Sequence, residues 1–201
     1  GATKLVDEIY AGVFSRVYGL QTIGLRYFNV FGKRQDPHGP YAAVIPRWVS
    51  CLSANEPCTI LGDGETSRDF IYIDDVVQAN LLAATVEDAS ATGEVYNVAG
   101  GRRTTLNELY AIIREKTMER QRLRPPEPVY EDFRPGDIRH SVADVSKIRH
   151  SLGYAPTRSV ADGIGDAIGW YLENGTRASA KKPYVDIPRS GALSMSSPYS
   201  R

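Results

Sequence analysis

The 201-residue chain has few cysteines, few histidines and no surplus of either charge. Each shortage removes a class of function. Two cysteines, Cys51 and Cys58, are too few for a disulfide framework, and with no histidine beside them they make a poor metal site. They are expected to be ordinary reduced thiols. Lys and Arg total 24, as do Asp and Glu, so no net field draws the chain to nucleic acid or an anionic membrane. No apolar run approaches the roughly 18 residues that a membrane span requires. Also missing are G-x-G-x-x-G, a Walker loop, H-E-x-x-H and G-x-S-x-G, which removes the usual dinucleotide, nucleoside-triphosphate, zinc-protease and serine-hydrolase signatures.

What is present is an ordinary globular composition, 42% hydrophobic and 24% charged, enough to fill a core. Residues 5–18 carry Val6, Tyr10, Val13, Phe14 and Val17 at helical spacing, with Gly19 as the stop. The run QTIGLRYFNVFG reads as a buried strand, KRQDPHGP as a loop, and YAAVIPRWVSCLSA as a helix that tolerates Pro46 only near its first turn. CTILGDG and RDFIYIDD read as short strands. Asp74 is the expected N-cap of the helix DVVQANLLAAT. GEVYNVAGG alternates as a strand, and TTLNELYAIIREKT opens with a Thr105–Glu108 capping box. RPPEPVYEDFRPGDIRHS reads as extended loop, ADVSKIRHSLGYAP as a short helix closed by Gly153, and SVADGIGDAIGWYLE as a last helix. From about Gly175 a flexible tail is expected. Strands alternating with helices make the class α/β, and the pieces are too few for a whole doubly wound sheet.

Several positions have the chemistry of a ligand site. Lys4 is a cation near the start of a helix, although such a lysine is ordinarily a solvated charge. Asn29 stands where a strand ends, the place where α/β sheets collect ligands, and it also suits a turn. In GDGETSRDF, Arg68 has the planar fork that matches phosphate oxygens, or it pairs with Asp63, Glu65 or Asp69. In FRPGDIRHS, Arg134 adds positive charge and Asp137 is an acceptor for ribose hydroxyls, or the two pair with each other across the turn. His140 has the residue type of a general acid or base, and equally that of a packing contact.

Five segments in one order carry a resemblance: ATK at 2–4, LRYFNVFGKRQDP at 25–37, YAAVIPRW at 41–48, GDGETSRDFIYIDDV at 62–76 and FRPGDIRHSVADVSK at 133–147. Together they resemble the nucleotide-sugar epimerase/dehydratase family of extended short-chain dehydrogenase/reductases, most closely bacterial UDP-N-acetylglucosamine 4-epimerases. The resemblance runs from residue 1 to about 173. It implies the C-terminal portion of a Rossmann-like fold with the smaller nucleotide-sugar-binding domain: 1–32 ending the NAD-binding domain, 33–174 mainly binding substrate, and 175–201 a tail. The family's catalytic pair is Tyr-x-x-x-Lys. With Lys4 as its lysine, the tyrosine falls just before Gly1, and the chain is expected to be a fragment without turnover of its own.

The resemblance also implies NAD as cofactor, with Lys4 on the nicotinamide ribose and Tyr27 and Phe28 beside the nicotinamide. It places Asn29 at the diphosphate, Ala43 and Val44 near the nucleotide, Thr59 and Leu61 about the uracil, Arg68 and Arg134 on the phosphates, and Asp137 on the ribose. Ser141 aligns with a wall beside the sugar, where a small side chain leaves room for a 2-acetamido group; it also suits a cap of the turn or of the following helix. The implied reaction is 4-epimerisation of a UDP-sugar through a 4-keto intermediate, without metal, in a cytoplasmic homodimer. Another nucleotide-sugar epimerase, dehydratase or decarboxylase, and a non-catalytic nucleotide-sugar-binding module, are the alternatives.

Overall fold

In the computed structural model, residues 2–36 and 43–178 are described. The expected loop at 33–40 is therefore seen only in part, and most of the expected tail lies outside the described residues. The periodic stretch at 5–18 does become a helix, α1 (Ala2–Tyr18), which ends at Gly19 with its φ of 66°. The long strand at 21–32 divides at Phe28 into β1 (Gly24–Tyr27) and β2 (Asn29–Phe31). The division marks a change of neighbour. Helix α2 (Val44–Ser53) follows, with Pro46 in its first turn, where its missing N–H has no intrahelical partner to lose.

Next come β3 (Thr59–Leu61), β4 (Ser67–Arg68), β5 (Phe70–Tyr72) and α3 (Ile73–Thr85). A single 3-10 turn at Ala89–Ala91 leads to β6 (Val95–Val98), β7 (Thr104–Thr105) and α4 (Leu106–Arg120). The described residues end with β8 (Val129–Glu131), α5 (Ser146–Leu152) and α6 (Val160–Ala178).

Strand pairing is mostly parallel: β1 with β6, β2 with β5 and β3 with β8, whereas β4 and β7 run antiparallel. Phe28 shows the handover, its N–H donating to Val98 of β6 while the next N–H, from Asn29, donates to Asp69 beside β5. Alternation along β5 then serves two cores. Phe70 and Tyr72 face one that holds Trp48, Leu52, Ile60, Leu109, Ile113, Ile164 and Ile168 from α2, β3, α4 and α6. Ile71 faces the other, with Val76, Tyr96, Val98, Ile148, Leu152 and Tyr154 from α3, β6, α5 and the segment after it. A strand with cover on both faces is the signature of a parallel α/β sheet. Gly163 lets α6 approach closely, since a Cβ there would stand 2.7 Å from the Phe31 ring.

Three local expectations change. Helix α3 begins at Ile73 rather than after an Asp74 cap, and its N-cap residue Tyr72 makes no side-chain cap bond. The neighbouring Asp75 is buried instead, accepting from the Thr157 N–H at 2.8 Å, the Thr157 hydroxyl and the Arg158 N–H. The Pro-rich stretch contains β8, because β3 leaves an edge whose backbone groups need partners: Val129 N–H donates to Cys58 and Gly62 N–H to Glu131. Helix α6 runs on to Ala178, past the point where the tail was expected to begin.

Candidate functional site

A cavity of about 410 Å³ opens between the first core and the loop after β8. Its walls come from alternate positions of short strands and one face of a helix. Thr59 and Leu61 point into it from β3 while Ile60, between them, is wholly buried in the core. Val44, Arg47 and Trp48, spaced i, i+3 and i+4, present one face of α2. Asn29, Thr66, Phe70, Leu106 and Glu131 complete the lining, with Arg68 and Asp137 together at the rim.

Arg68 is held on three sides. Its Nη1 donates to the carbonyls of Ser67 (2.8 Å) and Ile138 (2.6 Å), and its Nη2 meets Asp137 Oδ1 at 2.5 Å. The two residues lie 69 positions apart in the chain. Backbone strapping brings them together: Ser67 donates to Arg139 and accepts from Ser141, while Ser67 Oγ lies 2.9 Å from His140 Nδ1. Asp69 completes the strap. Fully buried, its carboxylate accepts from the N–H groups of Gly100, Gly101 and Ala143 at 2.9–3.1 Å. Burial raises its pKa, against the lowering effect of those backbone donors.

The alternative partners open for Arg68 are thereby accounted for. Asp63 forms a two-pronged pair with Arg139, which holds its carboxyl well below the usual range, at about 2; Glu65 accepts from Asn107. Asp69 is internal. Asp137 pairs with Arg68 rather than with Arg134, whose exposed side chain lies on the turn closed by the Asp137 N–H to Arg134 carbonyl bond. Arg134 does not line the cavity; the second guanidinium that does is Arg47. Sequence reasoning missed Arg47, although its spacing from Val44 was a usable signal. It also missed Asp69, for which no local pattern speaks.

Ser141 holds the strap through its backbone N–H. It caps no helix: Asp144 serves the start of α5, accepting from the Ser146 N–H and hydroxyl. His140 is likewise tied to the buried Ser67. Ala43 stands directly before α2, in extended conformation.

The residues expected at the cofactor lie elsewhere. Lys4 and Tyr27 border an open groove of about 780 Å³ between α1 and β1, where Lys4 pairs with Asp7 and the Tyr27 hydroxyl donates to Asn80. Arg26 makes a two-pronged pair with Glu8 across the same groove, which lowers the Glu8 pKa. Phe28, partly buried, packs against the second core. Among the described residues no cluster of His, Cys, Asp and Glu has the makings of a metal site, and no helix is long and apolar enough to cross a membrane.

Parallel strand pairs, helical cover on both faces of β5, and an arginine–carboxylate pair at a cavity define an α/β fold with a candidate ligand site. Comparison with known proteins narrows this. Residues 1–99 match the model of the NAD dependent epimerase/dehydratase family. A UDP-glucose 4-epimerase of Thermotoga maritima, solved with UDP-glucose, superposes with a TM-score of 0.78 at 38% identity, covering 87% of this chain and 53% of that one. A UDP-N-acetylglucosamine 4-epimerase of Methanobrevibacter ruminantium, in complex with UDP-N-acetylmuramic acid, gives 0.77 at 38% identity, covering 86% and 53%. A UDP-glucose 4-epimerase of Mycolicibacterium smegmatis is 32% identical over 170 residues, 85% of this chain and 51% of the relative. The chain is therefore similar to the NAD dependent epimerase/dehydratase family, through residues 1–99 of the family match and most of its length in the relatives. It spans about half the length of the relatives it matches.

Proposed function

We propose that this chain supplies the nucleotide-sugar half of an NAD-dependent UDP-sugar 4-epimerase. One observation carries the reading: Arg68 and Asp137 meet at the rim of a cavity whose inner wall is Thr59, Leu61 and Val44. A guanidinium suits a diphosphate, a carboxylate suits ribose hydroxyls, and a wall of small and apolar side chains suits a planar base. Arg47 adds a second cation at the lining, and Asn29 an amide. Arg134, three residues from Asp137, reaches the phosphates in this reading by a rotation of its exposed side chain.

Residues for NAD fit at one end only. Lys4 offers an exposed ammonium beside Tyr27 in the α1–β1 groove, which suits a nicotinamide ribose, whereas no glycine-rich phosphate loop occurs among the 201 residues. Bound NAD supplies reversible hydride acceptance in such enzymes. The share of this chain is to hold the UDP, to orient the sugar beside Phe28 and Asn29, and through Lys4 to lower the pKa of a neighbouring tyrosine base. Full turnover, and assembly into a homodimer, belong to the longer protein.

For the sugar, we infer a 2-acetamido hexose, because Ser141 is small and half-buried on the strap beside the site. The solved relative that handles UDP-N-acetylglucosamine supports this, and those named for UDP-glucose support the coarser class. Calorimetric titration of UDP into the chain tests the site. Arg68→Ala is expected to weaken binding roughly 10- to 100-fold, the worth of a charge-assisted hydrogen bond. Equal affinity of both proteins for UDP, with both folded, would remove the proposal.

A further inference from the structure

We propose that Cys51 and Cys58 form a redox-responsive pair that closes to an intrachain disulfide when a peroxide reaches Cys51. The two cysteines stand at either end of the short link from α2 to β3. Cys51 is on the last turns of α2, half-buried, and packs against the core cluster that contains Cys58. Cys58 is wholly buried at the start of β3. Its Sγ reaches the carbonyl of Trp48, one helical turn before Cys51, at 3.7 Å. The short connection between them folds back tightly, since Glu56 donates its N–H to the Cys51 carbonyl at 2.9 Å and Asn55 takes a positive φ of 57°. The chain thus returns the second cysteine to the first within seven positions.

The pair has the asymmetry that directed oxidation needs. Cys51 is the reachable sulfur, and its pKa is pulled below the ordinary thiol value, chiefly by its interaction with Cys58, with Arg47 adding a smaller pull and burial and Glu56 opposing. Cys58 is pushed up by the same contact and by burial, so it stays a thiol. A peroxide therefore meets one nucleophilic sulfur with its resolving partner already in place. Cys51 thiolate attacks a peroxide oxygen; the O–O bond breaks and the departing hydroxide takes a proton to become water. Cys51 is then a sulfenic acid. The Cys58 sulfur displaces its hydroxyl, the S–O bond breaks, and a second water leaves with the Cys58 proton. Two thiols lose two electrons and hydrogen peroxide gains them.

A disulfide here would join the end of α2 to the start of β3, the two elements that present Val44, Arg47, Trp48, Thr59 and Leu61 to the cavity. The modification itself does not depend on what that cavity binds. The test treats the full chain with hydrogen peroxide, unfolds it without reductant and alkylates it. Expected are the loss of both alkylation sites, a monomeric band on a non-reducing gel, one proteolytic product joining the Cys51 and Cys58 peptides with about 2 Da missing, and full reversal by dithiothreitol. Cys51→Ser is expected to leave Cys58 alkylatable after the same exposure, and Cys58→Ser to leave Cys51 as a sulfenic acid trapped by dimedone. Recovery of both alkylation sites after peroxide would overturn the proposal. So would Cys51 sulfinic acid beside an unmodified Cys58, or interchain dimers as the sole disulfide.

Discussion

At the scale of single residues, the site depends on side chains that never face the ligand cavity. Asp69 is the leading example: one buried carboxylate fastens the turn at Gly100–Gly101 and the strap at Ala143 to the strand that bears Arg68. Asp69→Asn turns one acceptor into a donor against those N–H groups. Equilibrium urea unfolding is expected to show a loss of about 1–3 kcal/mol, the cost of leaving buried donors unpaired. Gly62 is constrained twice over, by a φ of 75° and by Phe133, whose ring would lie 2.3 Å from a Cβ. Gly62→Val is therefore expected to shift the Phe133–Asp137 segment and weaken UDP binding even where the protein folds. Ser141→Tyr, placed in the longer protein, is expected to cut activity on UDP-N-acetylglucosamine while sparing UDP-glucose. Equal retention of both activities would contradict the assignment of the acetamido pocket.

Among the elements, legibility followed locality. The Thr105–Glu108 capping box appears as expected, Thr105 accepting from Glu108 N–H at 3.1 Å and Glu108 from Thr105 N–H at 2.8 Å, because all four groups sit within one turn. Thr105→Ala is expected to cost about 1 kcal/mol, measured by thermal or urea unfolding. Gly153 closes α5 in the left-handed conformation, again from a local pattern. Asp74 failed as a cap because β5 carries directly into α3, and Asp75 was drawn to residues 157–158, more than 80 positions away. β8 escaped notice because three residues of strand acquire meaning only beside β3.

Helix α1 poses the opposite case. Its periodicity was plain, yet none of its residues is buried, and Tyr10, Val17 and Tyr18 are each more than 60% exposed. Val17→Lys is expected to change the unfolding free energy of this chain by less than about 0.5 kcal/mol, whereas Ile164→Ala in the core is expected to cost about 2–5 kcal/mol.

For the molecule as a whole, pH couples to folding from both ends of the scale. Asp63 is lowered to about 2, first by Arg139; Asp88 and Asp144 are lowered by their bonds with Ser90 and Ser146, and Asp162 by Ser159. A carboxylate whose folded pKa is depressed stabilises the fold fully above its unfolded value, near 3.8 here, and loses that contribution as pH falls through the folded value. Stability is therefore expected to fall between about pH 4 and pH 2. Asp69, raised by burial, acts in the opposite sense and partly offsets the loss. In alkali, the buried phenols of Tyr154 and Tyr171 are raised, so their contribution is complete below the unfolded value of 10.0 and is lost above it as the unfolded chain ionises first. Denaturation midpoints measured from pH 2 to 11 are expected to trace a plateau with two falling flanks. A midpoint that rises steadily above pH 10 would contradict the burial of those tyrosines.

The amino-acid order by itself determined the α/β class, most helix limits and the residue types of the candidate site, because periodicity, caps and turns act over a few neighbours. Only the tertiary structure decided that Arg68 faces Asp137 and not Asp63, that Arg47 rather than Arg134 lines the cavity, and that Cys51 packs against the core that holds Cys58. Those outcomes depend on which distant segments satisfy one another's buried donors and acceptors. Such pairing is selected over the whole packed chain, so no short stretch records it.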